Sequence, residues 1–301
     1  MPPMTHGYSL FFALGTLFLS GHLLCVAQSR SLDKELFQAV AKGDIGAVRV
    51  LLANGADLDA KDDRGDTPLI IAVGNHNIAA VKLLIEKGAD ISARNNYEET
   101  ALFEAAESAP VVLRMADAPA TPNVHNEPTP AVFPEAPWVK SVRMLLDSGA
   151  NVEARDEEGD SPLIRAASFG QTETFELLLE RGAKINVRDK RGMTPLIAAA
   201  CACAVATMNS TYDIMKILLE RGADVNARTR DGTTALMMAA GSPDGPASVK
   251  LLLNKGADPM AKNNRGRTAM TFVEDSPFPE KVRLLKRAMA KAQGASSGVL
   301  P

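Results

Sequence analysis

Apolar residues in this chain fall in paired short runs, each with helical spacing. Between Thr67 and Glu86, Leu69, Ala72 and Val73 stand at i, i+3 and i+4 and form one face of a short helix. After a break, Ile78, Val81, Leu84 and Ile85 repeat that spacing while Lys82 and Glu86 point outward. This predicts a second helix with one buried and one wet face. Thr67 and Pro68 suit a helix start, the hydroxyl capping orphan amides and the ring fitting the first turn. Gly88 suits the left-handed residue that ends a helix. The segment Ala89 to Glu99 then carries the chain through a turn-rich finger to the next pair.

The pairing recurs. Six related triplets occur: Gly55-Ala56-Asp57, Gly88-Ala89-Asp90, Gly149-Ala150-Asn151, Gly182-Ala183-Lys184, Gly222-Ala223-Asp224 and Gly256-Ala257-Asp258. Their first glycines are 33, 61, 33, 40 and 34 residues apart. Helix openings of the Thr-Pro-Leu kind recur beside them at Thr67, Thr100, Ser161, Thr194, Thr234 and Thr268. A 33-residue period with these openings resembles the ankyrin-repeat family over residues 31–293.

The resemblance implies an all-α fold, a solenoid of about seven helix-turn-helix units with β-turn fingers. The units are 31–63, 64–96, 97–157, 158–190, 191–230, 231–264 and 265–293. One helix pair cannot bury its own apolar stripe, so stability comes from stacking neighbours. The first unit reads as an N-terminal cap. The last reads as a C-terminal cap, with Lys281, Arg283, Lys286, Arg287 and Lys291 expected to wet its outer surface. Residues 294–301 are expected to form a flexible tail. The chain departs from the family at the motif histidine, replaced by Ile70, Phe103, Ile164, Ile197, Met237 and Thr271. Packing is expected to take over the histidine's polar role between repeats.

Two insertions break the period. Residues 110–137 add 28 residues, seven of them proline, between the two helices of the third unit. That density favours an extended flap over helix or strand. Residues 204–210 add seven in the fifth unit, Ala-rich enough to lengthen its first helix. A single extra residue near Asp244 falls at the same junction.

Composition narrows the function. With 46 % hydrophobic and 23 % charged residues the chain is globular rather than disordered. Thirty-three basic against 36 acidic residues is too even for a protein that holds nucleic acid by bulk charge. Four histidines and three cysteines leave little for catalysis or metal binding. Cys201 and Cys203, two apart on a helix, point in divergent directions; His76 and His125 have no ligand-type neighbours. Asn209-Ser210-Thr211 fits a glycosylation sequon by composition alone. No phosphate loop, dinucleotide loop or nucleophile motif occurs, so neither enzyme activity nor a cofactor is expected.

Residues 1–27 carry no Asp, Glu, Lys or Arg, and Cys25 and Ala27 are small residues suited to a cut before Gln28. This predicts a signal peptide followed by a linker over 28–30, and a periplasmic or secreted protein. The alternative is a membrane anchor over residues 8–27, long enough to span a bilayer. Loss of the segment would remove His6, His22 and Cys25 and retain every charge.

The finger tips carry the individual chemistry. Asp63, Arg64, Asp66, Glu98, Glu99, Glu157, Glu158 and Asp160 make the first half mostly acidic. Lys190, Arg191, Arg230, Arg265 and Arg267 make the second half mostly basic. Such a gradient can steer a partner of opposite polarity. Rigid exposed aromatics act as binding anchors, which adds Tyr97, Phe169 and Trp138; the alternative for Trp138, beside the flap, is that the flap prolines cover it. The expected binding residues are Arg64, Asp66, Tyr97, Glu99, Trp138, Glu158, Asp160, Phe169, Lys190, Arg191, Met193, Arg230 and Arg265. The expected function is a non-catalytic protein-protein interaction module, a monomer presenting a concave surface to a folded protein. Resemblance to exported bacterial members implies a protective role, as accessory to a stress enzyme or as a toxin-neutralising binder.

Overall fold

Thr67 starts a helix as its composition predicts. Its hydroxyl accepts from the Ile70 amide at 3.4 Å, and Pro68 takes the first helical position. Thr100, Ser161, Thr194 and Thr234 do the same for Phe103, Ile164, Ile197 and Met237, at 3.3 to 3.4 Å. Thr268 makes no such bond, and the helix after it has only four residues. The computed structural model describes residues 31–107, 136–201, 208–243, 245–273 and 277–296. The chain divides into two compact units, Met1–Asn96 and Tyr97–Pro301.

In the first unit, α1 spans 31–42, α2 Ile45–Ala53, α3 Pro68–Gly74 and α4 Ile78–Glu86. Helix α3 packs on α4, and α2 on α4. Leu69, Ala72, Val73, Val81 and Leu84 are each at most 1 % exposed. Leu83 is buried, whereas Ile78 and Ile85, expected in the core, are half-buried. Asp44 caps α2, its carboxylate accepting from the Ala47 amide at 2.9 Å. Gly88 has φ +90°, and a Cβ there would meet nothing within 4 Å. Backbone conformation, not space, calls for glycine at that position. His76 adopts φ +55° at the inter-helix turn.

In the second unit, the first helices are α5 Ala101–Glu107, α7 Pro162–Ser168, α9 Pro195–Cys201, α11 Ala235–Gly241 and α13 Ala269–Phe272. The second helices are α6 Pro137–Asp147, α8 Thr172–Glu180, α10 Met208–Glu220, α12 Ala247–Asn254 and α14 Pro279–Ser296. First helices stack on first helices and second on second in chain order. Among the described residues there is no strand beyond a single bridge between Arg228 and Thr234. Four of these five first helices contribute a buried leucine, Leu102, Leu163, Leu196 or Leu236, and each such burial stabilises by about 1.5–3 kcal/mol; α13 buries Ala269 instead. The residues in the histidine position are buried as expected: Ile70, Phe103, Ile164, Ile197 and Met237 are all at most 3 % exposed. Thr271 is exposed.

The ends of several elements differ from the sequence reading. Residues 208–210 lie in α10, whose 13 residues exceed the nine of α8, so this part of the insertion extends the second helix rather than the first. Pro137 is the first residue of α6 rather than the last of the flap, a position where a missing amide hydrogen costs nothing. Helix α14 runs on to Ser296, three residues into the expected tail. Lys281 is 0 % exposed instead of wetting the cap. Its ammonium donates to the carbonyls of Ala239 at 3.0 Å and Ser242 at 2.6 Å, satisfying the C-terminal end of α11. The segments 1–27, 28–30, 110–135 and 204–207, Asp244 and the end of the tail lie outside the described residues.

Candidate functional site

The fingers are joined to one another by three columns of hydrogen bonds. The first is a backbone ladder. In the first unit the Asn96 amide donates to the Arg64 carbonyl at 3.0 Å. In the second, Glu157 donates to Tyr97 (3.1 Å), Lys190 to Glu158 (3.0 Å), Arg230 to Arg191 (2.7 Å) and Asn264 to Asp231 (2.8 Å). The second column is cationic. Lys61 donates to the Arg94 carbonyl at 2.7 Å, Arg155 to Arg188 at 3.0 Å, Arg188 to Arg228 at 2.7 Å, and Arg228 to Lys262. In the third, a side-chain oxygen accepts from the amide that follows the next Gly-Ala step. Asp59 takes Asp90, Glu153 takes Lys184, Asn186 takes Asp224 and Asn226 takes Asp258, at 2.7 to 3.0 Å. Packing alone is expected to join repeats that lack the motif histidine, yet polar ties between neighbouring repeats are present along the fingers.

Each finger is also braced from within. Asp62, Asp189 and Asn263 each accept two amides of their own turn through Oδ1; Asp156 accepts the Asp160 amide at 2.7 Å. Such turns are short-range and need only an Asx residue. The fifth turn uses Thr229, whose hydroxyl accepts the Thr233 amide at 3.0 Å and donates to Asp231. The Thr229 hydroxyl, first among several donors, holds the Asp231 carboxyl below its ordinary range. A rigid base therefore carries exposed tips.

The predicted binding residues separate into three groups. Arg64 of the first unit, and Tyr97, Glu158, Lys190, Arg191, Arg230 and Arg265 of the second, are exposed on finger tips. Glu99 and Met193 are half-buried at the finger bases. Asp66 and Asp160 are each only 6 % exposed, which corrects their assignment as surface charges. Both belong to the turn itself, their amides held by Asp62 and Asp156. Phe169 and Trp138, expected to be exposed, are half-buried. Phe169 follows α7 and Trp138 is the second residue of α6, so both sit at the inter-helix end of their repeats, away from the fingers. Seven helical residues, about 10 Å, separate Phe169 from its finger. The acidic-to-basic order within the second unit survives these losses: Glu98, Glu157 and Glu158 are exposed on one side, and Lys190, Arg191, Arg230 and Arg265 on the other.

Beneath the tips of the second unit lies a cluster that sequence reading missed. Arg165 on α7 reaches Asp156 at 3.0 Å, Glu99 at 3.6 Å and Glu107 at 3.7 Å, with its guanidinium 4.6 Å from the Phe103 ring centroid. Arg191 binds Asp189 at 2.8 Å and lies 3.7 Å from Asp160. The hydrogen bond to Asp189 is the main cause holding the Arg191 guanidinium in its charged form. Burial, then the Asp156 carboxylate, pushes the Asp160 carboxyl up to about 6, against the opposing pull of Arg165 and Arg191; Asp189 adds to the rise. The signal available in sequence was an arginine at 165 where the other first helices carry Ile71, Glu104, Ala198, Met238 and Phe272. The backbone conformation of Glu98 was not foreseen either. This residue adopts φ +61° at the turn position that Gly65, Gly159, Gly192, Gly232 and Gly266 hold elsewhere. Among the described residues no group of His, Cys, Asp and Glu is arranged to hold a metal ion.

Stacked helix pairs on a 33-residue period, joined through turn fingers, define a repeat protein of the interaction class. A family profile described as "Ankyrin repeats (3 copies)" matches residues 36–126, 138–229 and 202–292. The chain belongs to the ankyrin-repeat family. Its structure is similar to the human ASB11 ankyrin repeat domain, with TM-score 0.64 and 24 % identity over 84 % of this chain and 96 % of that one. It is also similar to the ankyrin repeat domain of Bcl-3, a member of the IkappaB protein family, with TM-score 0.59 and 29 % identity over 84 % and 97 % of the two chains. No curated protein sequence matches it. Ankyrin repeats are in general protein-protein interaction modules and typically non-catalytic.

Proposed function

We propose that this chain is an exported, non-catalytic binding protein that seats a folded protein partner on its finger tips. The observation that carries the reading is the pairing of exposed tips with a hydrogen-bonded base. Tyr97, Glu158, Lys190, Arg191, Arg230 and Arg265 project from fingers whose backbones are already joined. A partner then meets a surface that needs little ordering, and the entropy cost of association falls. The separation of Glu98, Glu157 and Glu158 from Lys190, Arg191 and Arg230 supports steering of a partner with the complementary polarity.

What supports the exported compartment is the character of residues 1–27, which lack any Asp, Glu, Lys or Arg and place Cys25 and Ala27 before Gln28. A tethered form, held by residues 8–27, is the second reading, favoured by a length of 20 charge-free residues that suffices to span a bilayer, although Gly15, Gly21 and His22 interrupt its apolar run. Sequencing the amino terminus of the protein from its native source separates the two: a start near Gln28 supports release, an intact segment supports the tether.

Co-purification from that source, followed by association kinetics at two salt concentrations, tests the binding surface. Lys190→Glu with Arg191→Glu is expected to slow association about tenfold at low salt, with a smaller effect at high salt. An unchanged association rate at low salt would remove the finger tips from the interface.

A further inference from the structure

Asp66 and Asp160 stand at the same step of two fingers, four residues after the turn aspartates Asp62 and Asp156. Both are buried. Twenty-nine residues further on, the next finger supplies Asn95 to the first and Asp189 to the second. Asn95 donates its amide to Asp66 Oδ1 at 2.9 Å. Asp189 has no hydrogen to offer. Its own oxygens accept from the amides of Arg191 at 2.9 Å and Met193 at 2.6 Å and from the Arg191 guanidinium at 2.8 Å, so both already act as acceptors. Asp160 Oδ1 is correspondingly buried with no hydrogen-bond partner.

The charges around Asp160 come from three directions. Asp156 lies on its own finger. Arg165 comes from α7, but it is shared with Asp156, Glu99 and Glu107. From the next finger come Asp189 and Arg191, the latter 3.7 Å from Asp160 Oδ2 and already bound to Asp189; Glu158 also acts on Arg191. Two guanidinium groups thus serve six carboxylates, Asp160 included. A carboxylate left over in such a site takes up a proton, and as an acid it becomes the donor that the site lacks.

We propose that Asp160 is a proton-binding site that joins two fingers: its neutral carboxyl donates an O–H···O hydrogen bond to the Asp189 carboxylate. The proton comes from solvent as pH falls, and no other bond changes. Protonation does for the Asp160 finger what the Asn95 amide does permanently for the Asp66 finger. The adjoining backbone link, from the Lys190 amide to the Glu158 carbonyl at 3.0 Å, closes more firmly when the proton is bound. The pair sits directly under Lys190 and Arg191, so the device sets the firmness of that tip independently of what the tip binds.

Carboxyl-carbon NMR titration of the full chain tests this without any variant. Asp160 is expected to titrate near pH 6; a midpoint at the ordinary aspartate value, near 4, would overturn the proposal. Asp189→Asn supplies the amide that Asn95 represents, and is expected to bring the Asp160 midpoint down by at least one pH unit. A midpoint unchanged in that variant would show that Asp189 is not the acceptor and would also overturn it. Hydrogen exchange of the Lys190 amide, corrected for intrinsic pH dependence, is expected to show about tenfold greater protection at pH 5 than at pH 8. Asp160→Asn should flatten that dependence, and pH-independent protection in the unmodified chain would count against the link.

Discussion

The second and fourth repeats follow the same plan and solve one turn differently. In the second, Asp62, Asp66 and Asn95 form a closed set: the carboxylate of Asp66 receives an amide, and Arg64 lies 3.4 Å from its other oxygen. The neighbouring first helix offers only Ile71, half-buried and neutral. In the fourth, Asn95 is replaced by Asp189 and Ile71 by Arg165. The two differences belong together. A second carboxylate beneath the finger needs a cation, and α7 provides one at 3.0 Å from Asp156. The repeat framework tolerates either a neutral or an ionic solution, but the ionic one leaves Asp160 without a donor.

The comparison can be broken at Arg165. Arg165→Met is expected to destabilise the protein by about 3 kcal/mol at pH 7, measured by denaturant unfolding, because Asp156, whose side chain is 1 % exposed, loses its counter-charge. Ile71→Met at the matching place should cost about 1 kcal/mol or less, since only apolar shape changes. Equal losses at the two positions would mean that Arg165 acts by packing on Phe103 alone. Asn95→Asp goes the other way and installs the fourth repeat's problem in the second. A loss of about 2 kcal/mol at pH 7 is expected, from a buried acceptor left without its donor, with part of it recovered at pH 5.

A smaller effect sharpens the same contrast through pH. The folded value for Asp160, about 6, lies above its ordinary 3.8. A raised carboxyl adds stability that is fully present below about pH 4 and disappears as pH rises through 6. Relative to Asp160→Asn, the unmodified chain should therefore gain about 1 kcal/mol between pH 8 and pH 5, and unfolding curves at both pH values measure it. Smallest is the turn at Glu98. Glycine there should stabilise by about 0.5–1 kcal/mol, because the left-handed backbone no longer carries a side chain. No gain on Glu98→Gly would show that the side chain's own contacts offset the strain.

These contrasts mark how far the sequence could be read. Helix order, register and caps were legible because each depends on residues within one turn, such as Thr67 with Ile70 or Gly88 after α4. The buried replacements of the motif histidine were legible for a similar reason, since Ile164 and Ile197 fall on an apolar stripe. What sequence missed were contacts that reach into the neighbouring repeat. Asp160 looked like a surface charge because finger residues are polar, yet the turn folds its side chain beneath the tip. Lys281 looked like a solvated cap residue, yet two carbonyls at the end of α11 draw its ammonium inside. Phe169 and Trp138 looked exposed because scarcity drew attention to them, while their place at the inter-helix ends half-covers both.

The three columns of hydrogen bonds also determine how the second unit would respond to a pulling force. Every tie joins one finger to its immediate neighbour, as Lys190 does to Glu158 and Arg230 to Arg191. No tie of these columns skips a repeat, so a load applied to the chain end concentrates on one joint at a time. Such a stack peels in steps rather than rupturing at once. A step that frees a 33-residue repeat releases about 110 Å of extended chain, and the 61-residue third repeat releases about 200 Å. The fifth repeat, with 40 residues, would lengthen its step by about 20 Å and so identify its place in a stretching trace.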